Sequence, residues 1–310
     1  MRTLVVGPDT TRVLQLCRQL DLAGVEVSRG GVLSALRSRS SICIAASPIG
    51  LRAGLGLLAL RVLGGKVIVD HFIPLHEKYI EDQRRWSPRS AKALALRLAD
   101  VAMCWVGTRT SVDTDEHADH LAGFSRRPRN RFAVLPAAAP LVIEQQTAGA
   151  PPVDVFWIGT ATTTFHGGDV VRGAISQLLA TRSDLTAVVT TSMPSPEAAS
   201  TLARSRVALG VFGGSPKGDR VVPFKVLDAL AFGVPVVTLS TPAVVRAIGR
   251  DGGAVLVDDP TEETVARTIA ELLDDPARCE AVGAAGRRSY ARCFSDEAQA
   301  ARLPAILASL

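Results

Sequence analysis

The sequence holds no apolar run long enough to cross a bilayer. Its most apolar helical stretch, AGLGLLAL after Arg52, is closed off by Arg61, well short of the ~20 residues that a span needs. Cysteine is scarce. The five present (Cys17, Cys43, Cys104, Cys279 and Cys293) are far apart, with no C-x-x-C pair and no nearby His, which excludes a disulfide or zinc framework and reads as reduced core thiols of a cytosolic protein. Absent too are a G-x-G-x-x-G after the first strand and any G-x-x-x-x-G-K-[ST], so a dehydrogenase or P-loop reading finds no support. No internal repeat or low-complexity segment stands out. MRTLVVGPDT goes straight into a core strand and turn, so no leader peptide is expected.

What is present suits a well-filled globular protein. The 310 residues are 47% hydrophobic, enough for two domains of ordinary size. Charge is uneven: residues 1–150 carry 20 Lys and Arg against 13 Asp and Glu, a balance of +7, and the rest carries 15 against 17, a balance of −2. A basic first half favours an anionic membrane, an anionic acceptor or nucleic acid. Its densest cluster, Ser125-Arg126-Arg127-Pro128-Arg129, reads equally as a solvated loop.

Strand and helix patterns alternate almost throughout, which argues for parallel sheets covered on both faces. In the first half, strands are expected at 3–6, 41–46, 66–70, 101–106 and 131–135, with helices near 10–23, 50–63, 88–99 and 113–123. Residues 136–152, PAAAPLVIEQQTAGAPP, read as a linker. Strands near 155–159, 186–191, 207–212, 234–239 and 254–257 follow, with helices near 169–181, 196–205, 262–273 and 277–292. A final helix near 296–309 is long enough to cross back onto the first domain. The expected domains are 1–145 and 151–294, with 295–310 as the returning helix. Two doubly wound halves imply a cleft near the carboxyl ends of their strands.

The chain is organised around Gly213–Leu239, GGSPKGDRVVPFKVLDALAFGVPVVTL. Pro223 suits a first helical turn, and Val226, Leu227, Leu230 and Ala231 make an apolar face. Gly233 and Pro235 stop the helix before a β-branched core strand. Lys225 and Asp228 are three apart and so share the polar face. A helix N-terminus suits an anion such as a diphosphate. A Lys and a carboxylate beside it would hold a phosphate and a sugar hydroxyl, or form a solvated surface pair.

PFKVLDALAFGVPVVT resembles the donor-site segment of retaining GT-B glycosyltransferases (family 4, group 1-like), usually E-x7-E followed by A-x-G-x-P-V-V. More narrowly, LGVFGGSPKGDRVVPFKVLDALAFGVPVVT resembles a bacterial subgroup that lacks the first Glu and carries FG…K…(I/V)P-x-K instead. LADVAMCWVGTRTSVDTDEHADHLAGF…RFAVLPAAAP, KVIVDHFIPLHEKYIEDQ, FWIGTATTTFHGGDVVRGAI and the closing DGGAVLVDDP…GRRSY resemble further segments of it. Roughly 240 residues are covered in order. The resemblance implies an α/β GT-B fold of two Rossmann-like domains, the second trimmed by one βα unit, since only about 40 residues separate His166 from Ala208.

It also implies roles residue by residue. Lys225 and the amides near Phe224 would stabilise the departing diphosphate, with Lys217 second or else a solvated loop lysine. Asp228 falls where the second Glu binds the ribose hydroxyls. Arg220 falls where the first Glu would touch the donor sugar; it either pairs with a phosphate or fills a position this chain no longer uses. His166 and Gly167 follow a strand and open a helix where backbone and imidazole would meet a phosphate; the class's Arg and Lys are missing there. Gly7 is what remains of a Gly-rich loop. Asp70 and His71 end a strand near where many such enzymes place a His on the donor sugar; the other reading is a hydrogen-bonded strand-end cap. His117 and His120, with Asp113 and Glu116, have a spacing that suits a metal or an exposed helix face.

The expected activity is retaining transfer of a hexose-type sugar from a nucleoside-diphosphate sugar to the hydroxyl of a glycan, lipid-linked sugar or natural product. No cofactor or essential metal and no nucleic-acid partner are expected, and contact with an anionic membrane is left open. The rival is a non-catalytic GT-B-like partner or activator of another enzyme, motivated by the missing Glu, the thinned Gly loop and the trimmed second domain.

Overall fold

Short β-branched runs become two all-parallel sheets, each in its own compact unit. The computed structural model describes residues 2–34, 42–47, 49–141, 151–159 and 164–310. One unit is Met1–Ala137 with Asp296–Leu310, the other Ala138–Ser295. In the first, strands β1 (Arg2–Val6), β2 (Glu26–Arg29), β3 (Ile42–Ala46), β4 (Lys66–Asp70), β5 (Arg109–Val112) and β6 (Phe132–Val134) pair in the order β2-β1-β3-β4-β5-β6. Helices α1 (Thr11–Leu22), α2 (Leu51–Val62), α3 (Ala91–Val106) and α4 (Asp115–Ser125) alternate with them.

The second unit pairs β7 (Val153–Ile158), β8 (Ala187–Thr190), β9 (Ser205–Leu209), β10 (Val236–Leu239) and β11 (Ala254–Val257) in the order β11-β10-β9-β7-β8. Its helices are α5 (Gly168–Thr181), α6 (Ser195–Ala203), α7 (Phe224–Phe232), α8 (Pro242–Ile248), α9 (Glu262–Leu273) and α10 (Pro276–Cys293). Helix α11 (Asp296–Ala308) belongs to the first unit. Its Leu303 and Leu307 join Val13, Leu16 and Leu20 of α1 in one core. Asp296 accepts hydrogen bonds from Arg18 and Gln19 at 3.0 and 2.9 Å. The opposite core joins Leu57 and Leu60 of α2 to Met103 and Val106 of α3.

Three expectations need correction. The apolar run Val101–Val106 is not a strand but the last turns of α3, whose buried positions Ala93, Asp100 and Cys104 recur at helical spacing. The strand that follows, RTSV, is buried through Thr110 and Ser111, polar residues that give no apolar signal. β2 is a charged edge strand, EVSR, and α8 is an unforeseen short helix whose Thr241 cap accepts from Val244 N–H at 3.3 Å. Of the stretch read as a linker, Ala138 onward belongs to the second unit, and residues 142–150 lie outside the described residues.

All five cysteines are free thiols, and burial pushes Cys43 and Cys104 up to about 12. Among the described residues no helix is long and apolar enough to cross a membrane.

Candidate functional site

Each sheet reverses its direction of winding once, between β7 and β9 in the second unit and between β1 and β3 in the first. Open parallel sheets bind ligands beyond the carboxyl ends of the strands at such points. Seven of the ten candidate residues lie past β7 and β9; Gly7 follows β1, Asp70 ends β4 and His71 follows it.

In the second unit Trp157, near the end of β7, organises the site. Its indole N–H donates to the Gly210 carbonyl at 3.0 Å. Lys225 Nζ stands 4.8 Å over the ring centroid, and the His166 ring meets it edge-on at 6.4 Å. Residues 164–168 are fastened to the segment after β9: Phe212 N–H donates to His166 O at 3.3 Å and Gly213 N–H to Phe165 O at 3.2 Å. Gly167 caps α5 in the left-handed region (φ 65°), and a Cβ there would stand 2.6 Å from Gly213 N. Glycine is required at that position by conformation and by space. Lys217 Nζ lies 5.5 Å over the Phe165 ring. Arg220 is buried and its Nε donates to Pro216 O at 2.6 Å.

Helix α7 starts at Phe224 with Pro223 as its N-cap, one residue later than expected, and no side chain caps it. Lys225 and Asp228 do not form an exposed pair. Both line a small cavity of about 20 Å³ with Leu141, Phe156, Trp157 and Leu209. Lys225 Nζ has no hydrogen-bond partner among the described residues, and burial pushes the ammonium down to about 7. Asp228 accepts a hydrogen bond from Leu141 N–H at 3.0 Å. Burial pushes its carboxyl up to about 7, against the pull of that N–H. A cation and a carboxylate held this far from water are poised for a ligand that brings phosphate charge and hydroxyl donors.

In the first unit, Gly7 packs tightly at the β1–α1 turn, where a Cβ would meet Val13 and Ala46. Asp70 is fully buried. Arg12 grips both its oxygens, at 2.8 and 3.0 Å, and Ser111 Oγ donates at 2.8 Å. Arg12 also donates to the Leu135 and Pro136 carbonyls. Asp70 is therefore a buried anchor tying β4, α1 and the end of β6 together, as in the hydrogen-bonded strand-end reading. His71 is 1% exposed. Its Nδ1 is 3.0 Å from Ser47 Oγ, its Nε2 3.5 Å from Asp100 Oδ1. Its backbone N–H donates to Ser111 O at 2.8 Å.

His117 is not on an exposed face: it is fully buried, with Nδ1 2.7 Å from Asp113 Oδ1 and Nε2 3.6 Å from Glu77 Oε2. Glu77 and Glu81, on the π-helical turn Glu77–Asp82, and His120 of α4 place donor atoms within 4.8 Å of one another, a trio that could close on a divalent ion.

Sequence reasoning missed Trp157, Leu141, Arg12 and Ser47. The Trp before Gly159 is the one detectable signal: a Cβ at Gly159 would run into the Trp157 ring. Leu141 acts through its backbone, which carries no side-chain signature.

Residues 184–308 match a family described as Glycosyl transferase-like. No curated protein matches the sequence. Solved structures are similar along the whole chain. Sucrose-phosphate synthase from Thermosynechococcus elongatus superposes with a TM-score of 0.71 at 12% identity, covering 99% of this chain and 98% of that one. Anabaena Alr3699/HepE in complex with UDP gives 0.69 at 10% identity, over all of both chains. The UDP-GlcNAc 2-epimerase of Neisseria meningitidis, bound to UDP-GlcNAc, gives 0.59 at 10%, covering 99% and 100%. The chain thus has the GT-B fold, and its residues 184–308 are similar to the glycosyl transferase-like family.

Proposed function

We propose that this protein is a cytoplasmic glycosyltransferase that moves a hexose-type sugar, with retention, from a nucleoside-diphosphate sugar to an acceptor hydroxyl. The observation that carries this reading is the buried Lys225 ammonium, without a hydrogen-bond partner, three residues before the buried Asp228. Both sit on the first turns of α7 beyond β7 and β9. A diphosphate supplies the counter-charge that Lys225 lacks, and a ribose diol suits the Asp228 carboxylate. The uncapped N-terminus of α7 adds dipole stabilisation to the leaving group. His166, Gly167, Lys217 and Arg220 surround the diphosphate in this reading. The leaving phosphate helps deprotonate the acceptor, as in front-face transfer.

The similarity to sugar-nucleotide proteins that are transferases and epimerases alike supports the donor class more than the reaction. The test is thermal unfolding with UDP, GDP, ADP and TDP and their sugars, on the wild type and Asp228→Ala. A ligand at 100 times its Kd adds about 2.7 kcal/mol. One nucleotide should stabilise the wild type and not the variant; no shift with any would overturn the reading. Slow donor hydrolysis without acceptor should follow. Appearance of the C2-epimer instead would make the protein an epimerase.

The rival, a non-catalytic partner protein, is favoured by one observation: Arg220, at the position of the missing Glu, is 7% exposed and tied to Pro216. Such a protein binds nucleotide but releases no free sugar. Catalysis through Lys225 and α7 requires no metal, so dialysis against EDTA should leave transfer unchanged.

A further inference from the structure

We propose that the outer face of α2 and α3 docks on a bilayer surface that carries anionic lipid. Both helices cover one side of the first sheet and meet where Gly54 faces Met103. On α3 the outward stripe, at helical spacing, is Ala91, Leu94, Ala95, Leu98, Ala102 and Trp105, every one exposed. On α2 it is Leu55, Leu58 and Val62. These six large side chains are 47–79% exposed. With Leu63 they make seven of the eleven large apolar residues left most exposed among the described residues. A scatter of single exposed leucines is ordinary; a cluster on two neighbouring helices is an interaction face.

Charge identifies the occupant. Residues 49–69 and 83–112, which contain both helices, hold nine Lys and Arg and a single acid, Asp100. That acid is buried and accepts N–H bonds from Leu75 and His76 at 3.0 and 2.7 Å. Arg85 and Lys92 lie 4.9 and 5.0 Å over the Trp86 ring at the entrance to α3, pairing cations with an aromatic of the kind that settles at headgroup level. An apolar stripe bordered by cations, on helices too short to span, is the pattern of a surface-lying amphipathic element. A second copy of the chain fits poorly, because a two-fold contact sets each patch against itself and brings like charges together. The inference stands on this face alone and not on the sugar-transfer reading.

The test is co-sedimentation of the whole protein with vesicles of phosphatidylcholine, with or without 30% phosphatidylglycerol, at 0.1 and 0.5 M NaCl. Binding to the anionic vesicles should exceed that to the neutral ones at least tenfold at low salt and fall sharply at high salt. Leu94→Glu with Leu98→Glu, and separately Arg89→Glu with Lys92→Glu, should each cut partitioning at least tenfold while leaving the unfolding midpoint in place. Equal binding to both vesicle types, or full binding by the leucine pair, would overturn the proposal. So would a dimer by light scattering that the leucine pair dissolves, if the wild type then ignores vesicles.

Discussion

Lys225 and Asp228 must each carry a charge into a place that water barely reaches, and stability reports it. Asp228, raised to about 7, keeps its proton longer folded than unfolded. Its contribution is complete below its ordinary value of 3.8 and is lost as pH rises through about 7. Lys225, lowered to about 7, works the other way. Its contribution is complete above 10.5 and is lost as pH falls through about 7. The pair therefore places a stability minimum near neutrality. Lys225→Met should raise the urea midpoint at pH 7, flatten the rise from pH 7 to 10, and abolish the nucleotide-induced shift. A destabilised Met variant would mean that Lys225 is a structural cation. Arg12 and Asp70 present the opposite case. Arg12→Met leaves Asp70 buried and uncompensated, and denaturation should show a loss of about 3–5 kcal/mol from the first unit. Adding Asp70→Leu should restore most of it.

Individual elements were legible where side chains alone decide them. The α7 segment carries its own punctuation, Pro223 before and Gly233 after, the latter capping the helix at φ 68°. The Val and Ile runs became strands for the same reason. Legibility failed where tertiary hydrogen bonding replaces apolar burial: β5 is paid for by neighbours of Thr110 and Ser111, and α3 runs seven residues past its expected end because its buried stripe is narrow. Sequence patterning had also placed Lys225 and Asp228 on a polar face. Only the packing of Trp157 and the Leu141 backbone around them shows that face to be buried. At this scale the fastening of residues 164–168 to Gly213 is testable. A methyl on Gly213 would run into the Thr164 carbonyl. Gly213→Ala should cost at least about 2 kcal/mol and weaken nucleotide binding, while Gly214→Ala, where a Cβ meets nothing within 4 Å, should do neither. Calorimetry of both variants decides it.

For the whole molecule, the alternation of strands and helices was enough to announce two parallel sheets, and the length of the last helix enough to suggest its return. Eight of the ten candidate residues fell at the two winding reversals and the other two, Asp70 and His71, at the end of β4, which no local pattern reveals because strand order is set by pairing. The return of α11 matters energetically: Leu303 is 1% exposed in the core beside Leu16 and Leu20. Leu303→Ala should destabilise the first unit by about 2–5 kcal/mol, read from its own unfolding transition, and leave the second unit's midpoint unmoved. The same return fixes an order of assembly. The helix that completes the first unit is translated only after all of Ala138–Ser295, a delay of roughly 8–30 s at ribosomal speed. Throughout that interval the α1 side of a finished-looking sheet stands open, and a nascent chain stalled before Asp296 offers a leucine-lined seat to any chaperone waiting at the exit tunnel.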